Sequence, residues 1–179
     1  YTPSNTENST PPATRQGGDT FETATMIEAL PYTDSGSTVG LSADYGPYAD
    51  LSGLVCDIEG FYSATQTGSG ADAVYSIELA EAANVNISLC ESTYDTGLGV
   101  FTADGVLVAA SDDFCSFQSE ITCQMPAGMY YIVVSGWGTS EGDYTLNVDV
   151  LDDPSPVAGY AIVRDCLLYT SDAADDSLR

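Results

Sequence analysis

The chain has no histidine among its 179 residues, and it also contains no lysine. Without imidazole there is no Ser-His-Asp or Cys-His nucleophile system and no His-bound zinc. Without lysine, Schiff-base chemistry and the lysine grip of a phosphate-binding loop are excluded. The composition therefore removes these classes of enzyme before any motif is considered.

Positive charge is scarce as well. The three arginines are Arg15, Arg164 and Arg179, against 27 Asp and Glu residues, and the formal net charge is −24. Every charged side chain from Gly17 to Val150 is therefore acidic. Such a surface repels nucleic acid and anionic membranes, and no apolar run reaches the roughly 20 residues that span a bilayer. We expect neither a nucleic-acid partner nor membrane insertion.

Cysteines are present, but no C-x-x-C pair occurs among the five. This spacing argues against a thiolate zinc site and favours disulfide bonds, which indicate an extracellular protein. Four of them, Cys56, Cys90, Cys115 and Cys123, can form two bridges in three different pairings. Cys115 and Cys123 flank a short polar loop, so a local bridge between them is one of these pairings.

Apolar and polar residues alternate along four segments, a pattern typical of half-buried strands. The apolar members are Tyr75, Ile77 and Leu79; Val85, Ile87 and Leu89; Ile121, Cys123 and Met125; and Tyr144, Leu146, Val148 and Val150. Residues 129–134 (MYYIVV) are apolar on both sides and predict a central strand, and residues 106–109 predict a short one. Residues 21–30 have room for a single helical turn. We predict an all-β fold, an antiparallel β-sandwich.

The two ends of the chain differ in composition from this strand-rich part. Residues 1–16, rich in Thr, Ser, Asn and Pro, are interpreted as an extended linker or stalk. The sandwich is predicted for residues 17–151, and residues 152–179 form a tail, in which residues 157–163 are a candidate for one more strand. The start at Tyr1 indicates either a removed signal peptide or a fragment of a longer polypeptide.

Part of this tail has an unusual sequence. Residues 166–175 (CLLYTSDAAD) resemble a translated sequencing-library adapter. Residues from about 166 onward, including the odd cysteine Cys166, are therefore either an artefact or an ordinary polar tail.

Three blocks of sequence occur in an order that resembles one family. They are GDTFETAT at 18–25 with Leu30-Pro31; GADAVY at 70–75 with ISL at 87–89 and YDTGL at 94–98; and SDD at 111–113 with AGMYYIVV at 127–134 and GDYTL at 142–146. Over about residues 17–150 they resemble the bacterial pre-peptidase C-terminal (PPC) domain family. The resemblance implies a jelly-roll-like β-sandwich in a secreted protein, usually appended to a peptidase, without catalysis of its own. It also implies collagen-binding relatives, some of them stabilised by calcium.

Carboxylates form the best candidate for a metal site. Asp112 and Asp113, with Asp95 and Asp104 nearby in the chain, are predicted to bind a cation, and calcium is the expected ion because it prefers six to eight oxygen ligands. The alternative is that these residues are turn-forming aspartates. Asp19 and Glu22 form a second acidic group, for which a role in capping a short helical turn is favoured.

Two asparagines begin N-glycosylation acceptor sequences, which apply only if the source is eukaryotic: Asn86, on the polar side of a predicted strand, and Asn8. Such sequences also arise by chance. The irregular parts of the chain are rich in aromatic residues, which either stack on a sugar or peptide ligand or pack over the edge of the sandwich. They are Tyr45, Tyr48, Phe61, Tyr62 and Trp137.

No catalytic residues are predicted. The Asp-Thr-Gly string at 95–97 occurs once, whereas an acid dyad needs two such loops, and in so acidic a chain some carboxylate pair always meets the spacing of a glycosidase. We predict a non-catalytic extracellular structural or adhesive module that self-associates into a filament or surface layer. The alternative is a domain that holds a secreted peptidase or other exported enzyme on an extracellular polymer.

Overall fold

The computed structural model describes residues 16–151 except residues 57, 59 and 61. Two sheets face each other: sheet A has the strand order β1-β3-β8-β5-β6, and sheet B has the order β2-β9-β4-β7. The strands are β1 (Thr25–Ile27), β2 (Tyr32–Ser37), β3 (Ala73–Leu79), β4 (Ala83–Ser88), β5 (Thr96–Thr102), β6 (Leu107–Ser111), β7 (Glu120–Met125), β8 (Gly128–Gly136) and β9 (Asp143–Leu151). The predicted all-β sandwich is confirmed. Its pairs are antiparallel except for β1, which runs parallel to β3.

The central strand predicted from residues 129–134 is β8, the middle strand of sheet A. Ile132 and Val134 point into the core between the sheets, whereas Val133 belongs to a second apolar cluster on the outer face of sheet A. Three strands were not predicted: β1, β2 and β5. In β5 (TGLGVFT) nearly every residue is buried, so no alternation of apolar and polar residues marks it.

The core between the sheets is mostly aliphatic, but it encloses a polar network. Asp34 on β2 accepts hydrogen bonds from the hydroxyls of Tyr32 and Tyr75, each at 3.1 Å. The hydroxyl of Tyr75 also lies 2.8 Å from that of Tyr144, which accepts the Gly17 N–H at 3.0 Å. Each of these buried polar groups therefore has a hydrogen-bond partner, as is usual in protein interiors.

The outer face of sheet A is covered by the connection between β2 and β3, residues 38–72, here called the covering segment. It packs an aromatic cluster against the sheet: the ring of Tyr45 stacks on that of Phe21 with centroids 4.0 Å apart. Tyr48 meets Phe101 edge to face at 5.7 Å. Of the two alternatives, the structure shows packing against the sandwich for these two tyrosines, while Phe61 lies outside the described residues.

Two disulfides tie irregular segments to the sandwich. Cys56 of the covering segment is bonded to Cys123 on β7, and Cys90 is bonded to Cys115 in the loop between β6 and β7. The Cα atoms of each pair are 5.7 Å apart, within the normal range for a disulfide. The local bridge between Cys115 and Cys123 is not formed, because each of these cysteines is bonded to a cysteine farther away in the sequence.

The described chain starts and ends at opposite ends of β9. The side chain of Gln16 donates to the carbonyl of Ser37, which pairs with Asp143 at the start of β9. Leu151 is the last residue of β9 and pairs with Asn84. The predicted linker, apart from residue 16, and the tail with its candidate strand at 157–163 lie outside the described residues. Within residues 16–151, where described, no helix is long and apolar enough to cross a membrane.

Candidate functional site

Three carboxylates meet at one end of the sandwich because of how β5 and β6 pair. Asp95 immediately precedes β5, and Asp112 and Asp113 immediately follow β6. The two strands are antiparallel, with Leu98 opposite Ser111, so the start of one lies beside the end of the other. One oxygen from each of the three carboxylates lies within 4.8 Å of the others. The structure therefore brings three of the predicted metal ligands together.

Asp112 is the most enclosed of the three, with an exposed fraction of 0%. Its Oδ2 accepts a hydrogen bond of 2.5 Å from the hydroxyl of Thr67. Its Oδ1, and the Oδ1 of Asp95, are buried without a hydrogen-bond partner among the residues that the structure describes. A buried polar oxygen without a partner is costly, and the hydroxyl of Tyr62 and the Oδ1 of Asp72 are in the same situation.

At this end of the sandwich, burial and mutual repulsion make it unfavourable for all three carboxylates to be ionised at once. Burial raises the pKa of Asp112 to about 6, and the negative charges of Asp113 and Asp95 add to that rise while the Thr67 hydrogen bond opposes it. The pKa of Asp95 is also raised, by burial first and then by Asp113. The chain offers no lysine or arginine between residues 17 and 150 to balance them.

The loop that carries Asp112 and Asp113 is rigidly held. The N–H of Phe114 donates to the carbonyls of Asp112 at 2.9 Å and Gln118 at 3.0 Å. Ser116 adopts a positive φ of 77°, and the Cys90–Cys115 disulfide closes the far side of the loop. Hydrogen bonds and a covalent bond therefore restrain the backbone of this loop.

The covering segment completes the site from the other side. Its Thr67 hydroxyl binds Asp112, and the negative charge of Asp112 contributes, after burial, to a raised pKa of Tyr62. Gly60 has a φ of +72°, and a Cβ there would lie 2.7 Å from backbone atoms of Asp113 and Phe114. Only glycine allows this close approach, which leaves room for the loop beside the carboxylates.

In the second acidic group, the predicted capping role is wrong for Asp19. The helical turn is a 3₁₀ helix at Phe21–Thr23, and its N-cap is Thr20 rather than Asp19. Asp19 instead accepts hydrogen bonds from the N–H and the hydroxyl of Ser42, at 2.6 and 3.2 Å. It therefore anchors the covering segment. Glu22 lies in the first turn of the helix.

Sequence reasoning assigned no role to a further buried carboxylate, Asp72. Its Oδ2 accepts the N–H groups of Asp44 at 2.7 Å and Tyr45 at 2.9 Å, and burial raises its pKa to about 6. It is the last residue of the covering segment, next to β3, and it ties residues 44 and 45 of that segment to this point. Its position in the block GADAVY was the one available signal. No comparable signal marked Asp34, because β2 itself was not predicted.

Three exposed aromatic residues lie at the same end of the sandwich. Phe114 and Phe117 lie in the loop that follows Asp113, and Trp137 lies just after β8. The N–H of Trp137 donates to the Asp95 carbonyl at 3.1 Å, and the carbonyl of Phe117 accepts the Thr96 N–H at 2.9 Å. The rings and the carboxylates are thus carried by the same hydrogen-bonded backbone.

The predicted glycosylation acceptor Asn86 lies on β4 and is half-buried. Its amide donates to Glu120 at 3.2 Å and to Thr122 at 3.0 Å on β7. Asn8 lies outside the described residues. Glycosylation of either residue stays a prediction.

Comparisons with known proteins give matches among solved structures. No protein-family model matches the chain, and no curated protein matches it. Among solved structures, the chain is similar to the 1.0 Å crystal structure of the pre-peptidase C-terminal domain of collagenase from Bacillus anthracis. The identity is 20%, the TM-score is 0.47, and the match covers 70% of this chain and 93% of that one. That domain is of the family that the three sequence blocks resemble.

Proposed function

We propose that the chain is a non-catalytic accessory domain that holds an exported protein, such as a secreted peptidase, on an extracellular polymer. The observation that carries the proposal is the exposure of three aromatic rings at one end of the sandwich. The exposed fractions of Phe114, Phe117 and Trp137 are 48%, 62% and 39%. Exposed rings of this kind stack on sugar rings or on the apolar parts of peptides.

The rings are displayed on a rigid backbone. The loop of Phe114 and Phe117 is closed by the Cys90–Cys115 disulfide and hydrogen-bonded to the start of β5. A surface that is ordered before binding loses less conformational entropy when it meets its partner. This rigidity favours a binding role over a loop that is merely tolerated at the surface.

The charge of the sandwich limits the kind of polymer that it can bind, and its disulfides bear on the compartment in which it acts. Because the sandwich bears no lysine, arginine or histidine, an anionic polymer would be repelled, and a neutral or cationic one is expected. Two disulfides fit an oxidising compartment. They support secretion, with the polymer outside the cell.

A retention assay on insoluble polymers tests this role. The purified chain is mixed with chitin, cellulose or collagen fibrils, and the bound fraction is measured after sedimentation. We expect retention on at least one of them, and at least a tenfold weaker affinity for the double variant Phe117→Ala/Trp137→Ala. Met26→Ala is the matched control, since Met26 is 53% exposed but lies on β1, at the opposite edge of sheet A.

Equal retention of the double variant, or no retention on any polymer, would contradict the proposal. The expected filament or surface-layer role has no supporting contact in the described part of the chain and stays a prediction. Light scattering of the same samples, with calcium and then with chelator, tests it. Large oligomers that dissociate when calcium is chelated would support self-assembly and would contradict the accessory role.

A further inference from the structure

We propose that Asp95, Asp112 and Asp113 bind one Ca²⁺ ion at the loop end of the sandwich. The inference goes beyond the proposed function, because cation binding needs no polymer partner. Acidic clusters are common on surfaces without an ion, so proximity alone does not carry it. The decisive observation is the burial of oxygen atoms that have nothing to bind.

Asp112 provides that observation. Its side chain is 0% exposed, yet its Oδ1 has no hydrogen-bond partner among the described residues. The Oδ1 of Asp95 is buried and unpartnered in the same way. Proteins rarely leave such atoms unsatisfied, and here they belong to carboxylates whose oxygens lie within 4.8 Å of one another. A cation placed among the three carboxylates would satisfy these oxygens and offset their mutual repulsion.

The donor set selects a hard cation. All three side chains offer carboxylate oxygen, and the neighbouring Cys90 and Cys115 are joined in a disulfide, which removes thiolate ligands. Oxygen donors suit Ca²⁺ and Mg²⁺ rather than zinc or copper. Ca²⁺ accepts flexible coordination with backbone carbonyls and water, whereas Mg²⁺ requires near-octahedral geometry. We therefore assign Ca²⁺, with Mg²⁺ as the weaker competitor.

Binding would join three parts of the chain. Asp95 leads into β5, Asp112 and Asp113 follow β6, and the Thr67 hydroxyl links the covering segment to Asp112 through Oδ2. A cation on the free Oδ1 leaves that hydrogen bond in place. The ion would therefore fasten the covering segment indirectly, and its removal should loosen this segment before the strands.

Isothermal titration of the purified chain with calcium chloride alone tests the site. We expect one saturable site with a dissociation constant of about 10⁻⁴ to 10⁻³ M, the range of extracellular calcium modules. Asp112→Asn should weaken it at least tenfold, because a charged ligand is lost. Asp113→Asn, at the less buried position, should weaken it too and serves if the Asp112 variant does not fold. Asp104→Asn, in the exposed β5–β6 turn at the other end of these strands, should leave it unchanged.

Terbium luminescence provides a second readout. The chain has one tryptophan, and the N–H of Trp137 donates to the Asp95 carbonyl, so excitation of Trp137 should sensitise a bound Tb³⁺ ion. Calcium should quench this emission at lower concentration than magnesium. No saturable calcium site, or equal affinity in wild type, Asp112→Asn and Asp113→Asn, would overturn the assignment. Polymer retention measured in chelator separates the two proposals, since either can fail without the other.

Discussion

The two faces of sheet A are covered in different ways. Its inner face meets sheet B, and the side chains of two regular sheets alternate to fill the space between them. Its outer face meets the covering segment, which is irregular and contributes mainly aromatic rings. Val133 and its neighbours Ile132 and Val134 are all 0% exposed, so both covers exclude water at the centre of the sheet.

The two covers differ in how the N–H and C=O groups of their backbones are hydrogen-bonded. Sheet B bonds its own N–H and C=O groups through strand pairing, whereas the covering segment depends on separate anchors. Asp72 accepts two of its N–H groups, the N–H of Val55 donates to the carbonyl of Val108 on β6 at 2.9 Å, and Cys56 is covalently bonded to β7. An irregular segment can therefore seal a sheet when a few buried groups replace a strand ladder.

The largest expected effect comes from cutting the covalent anchor of the outer cover. Cys56→Ala/Cys123→Ala opens a bridge that spans 67 residues, and the chain-entropy model assigns such a bridge about 4 kcal/mol. Urea unfolding should show a loss of that order. Hydrogen exchange should rise in the covering segment before it rises in β3 or β8.

The matched control is Cys90→Ala/Cys115→Ala, which opens a span of 25 residues and should cost about 3.5 kcal/mol without this selective exposure of the covering segment. Uniform exchange throughout the Cys56→Ala/Cys123→Ala variant would show that the two covers unfold as one unit.

A smaller effect should follow from the buried carboxylate that holds the same segment. The folded pKa of Asp72 is about 6 against an ordinary 3.8, so the fold disfavours the ionised form. This penalty is absent below pH 3.8 and complete above pH 6, where it amounts to about 3 kcal/mol. Asp72→Asn removes it, and the stability of the variant relative to wild type should therefore rise as the pH rises from 4 to 7.

Chemical unfolding at several pH values measures this difference. Asp50→Asn, in the same segment, should show the opposite sign, because the hydroxyl and the N–H of Ser52 lower the pKa of Asp50. A pH-independent difference between wild type and Asp72→Asn would refute the role given to burial.

The smallest expected effects compare a tyrosine hydroxyl on each face. Tyr75→Phe deletes the hydroxyl that donates to Asp34 at 3.1 Å and lies 2.8 Å from that of Tyr144, which should cost about 1 to 3 kcal/mol. Tyr48→Phe deletes one that reaches the carbonyl of Val133 at 3.5 Å and should cost less than about 0.5 kcal/mol, since so long a contact is weak. Thermal unfolding of both variants measures the contrast, and equal losses would contradict it.

Sequence patterns predicted the inner face of the sandwich far better than its outer cover. Alternation marks β4, β7 and β9 because one side of each is solvated, and the doubly apolar run marks β8. The same rule misses β5, since Gly97 and Gly99 allow the covering segment to pack directly on it: a Cβ at Gly99 would meet the ring of Tyr48 at 2.7 Å. In the covering segment, apolar and polar residues do not recur at a regular spacing, and the arrangement of the segment depends on tertiary contacts.

The candidate site was predictable only in part. Asp95 and the Asp112-Asp113 pair were grouped because they lie near one another in the chain. The pairing of β5 with β6 that brings them together could not be foreseen, because β5 was not predicted. The contribution of Thr67, 45 residues away from Asp112, could not be foreseen either. Nor could the sequence distinguish the pairing of Cys56 with Cys123 from the two alternatives, because that choice depends on the path of the covering segment.

The positions of Gln16 and Leu151 at opposite ends of β9 have a mechanical consequence. Since β9 is nine residues long, the two points at which the flanking chain attaches are about 27 Å apart along the strand direction. Traction on the flanking chain is therefore directed along β9, which is bonded on both sides to antiparallel neighbours. The hydrogen bonds of both ladders are loaded in shear and resist together, rather than opening one after another. When pulled at these two points, the domain is therefore expected to resist extension strongly.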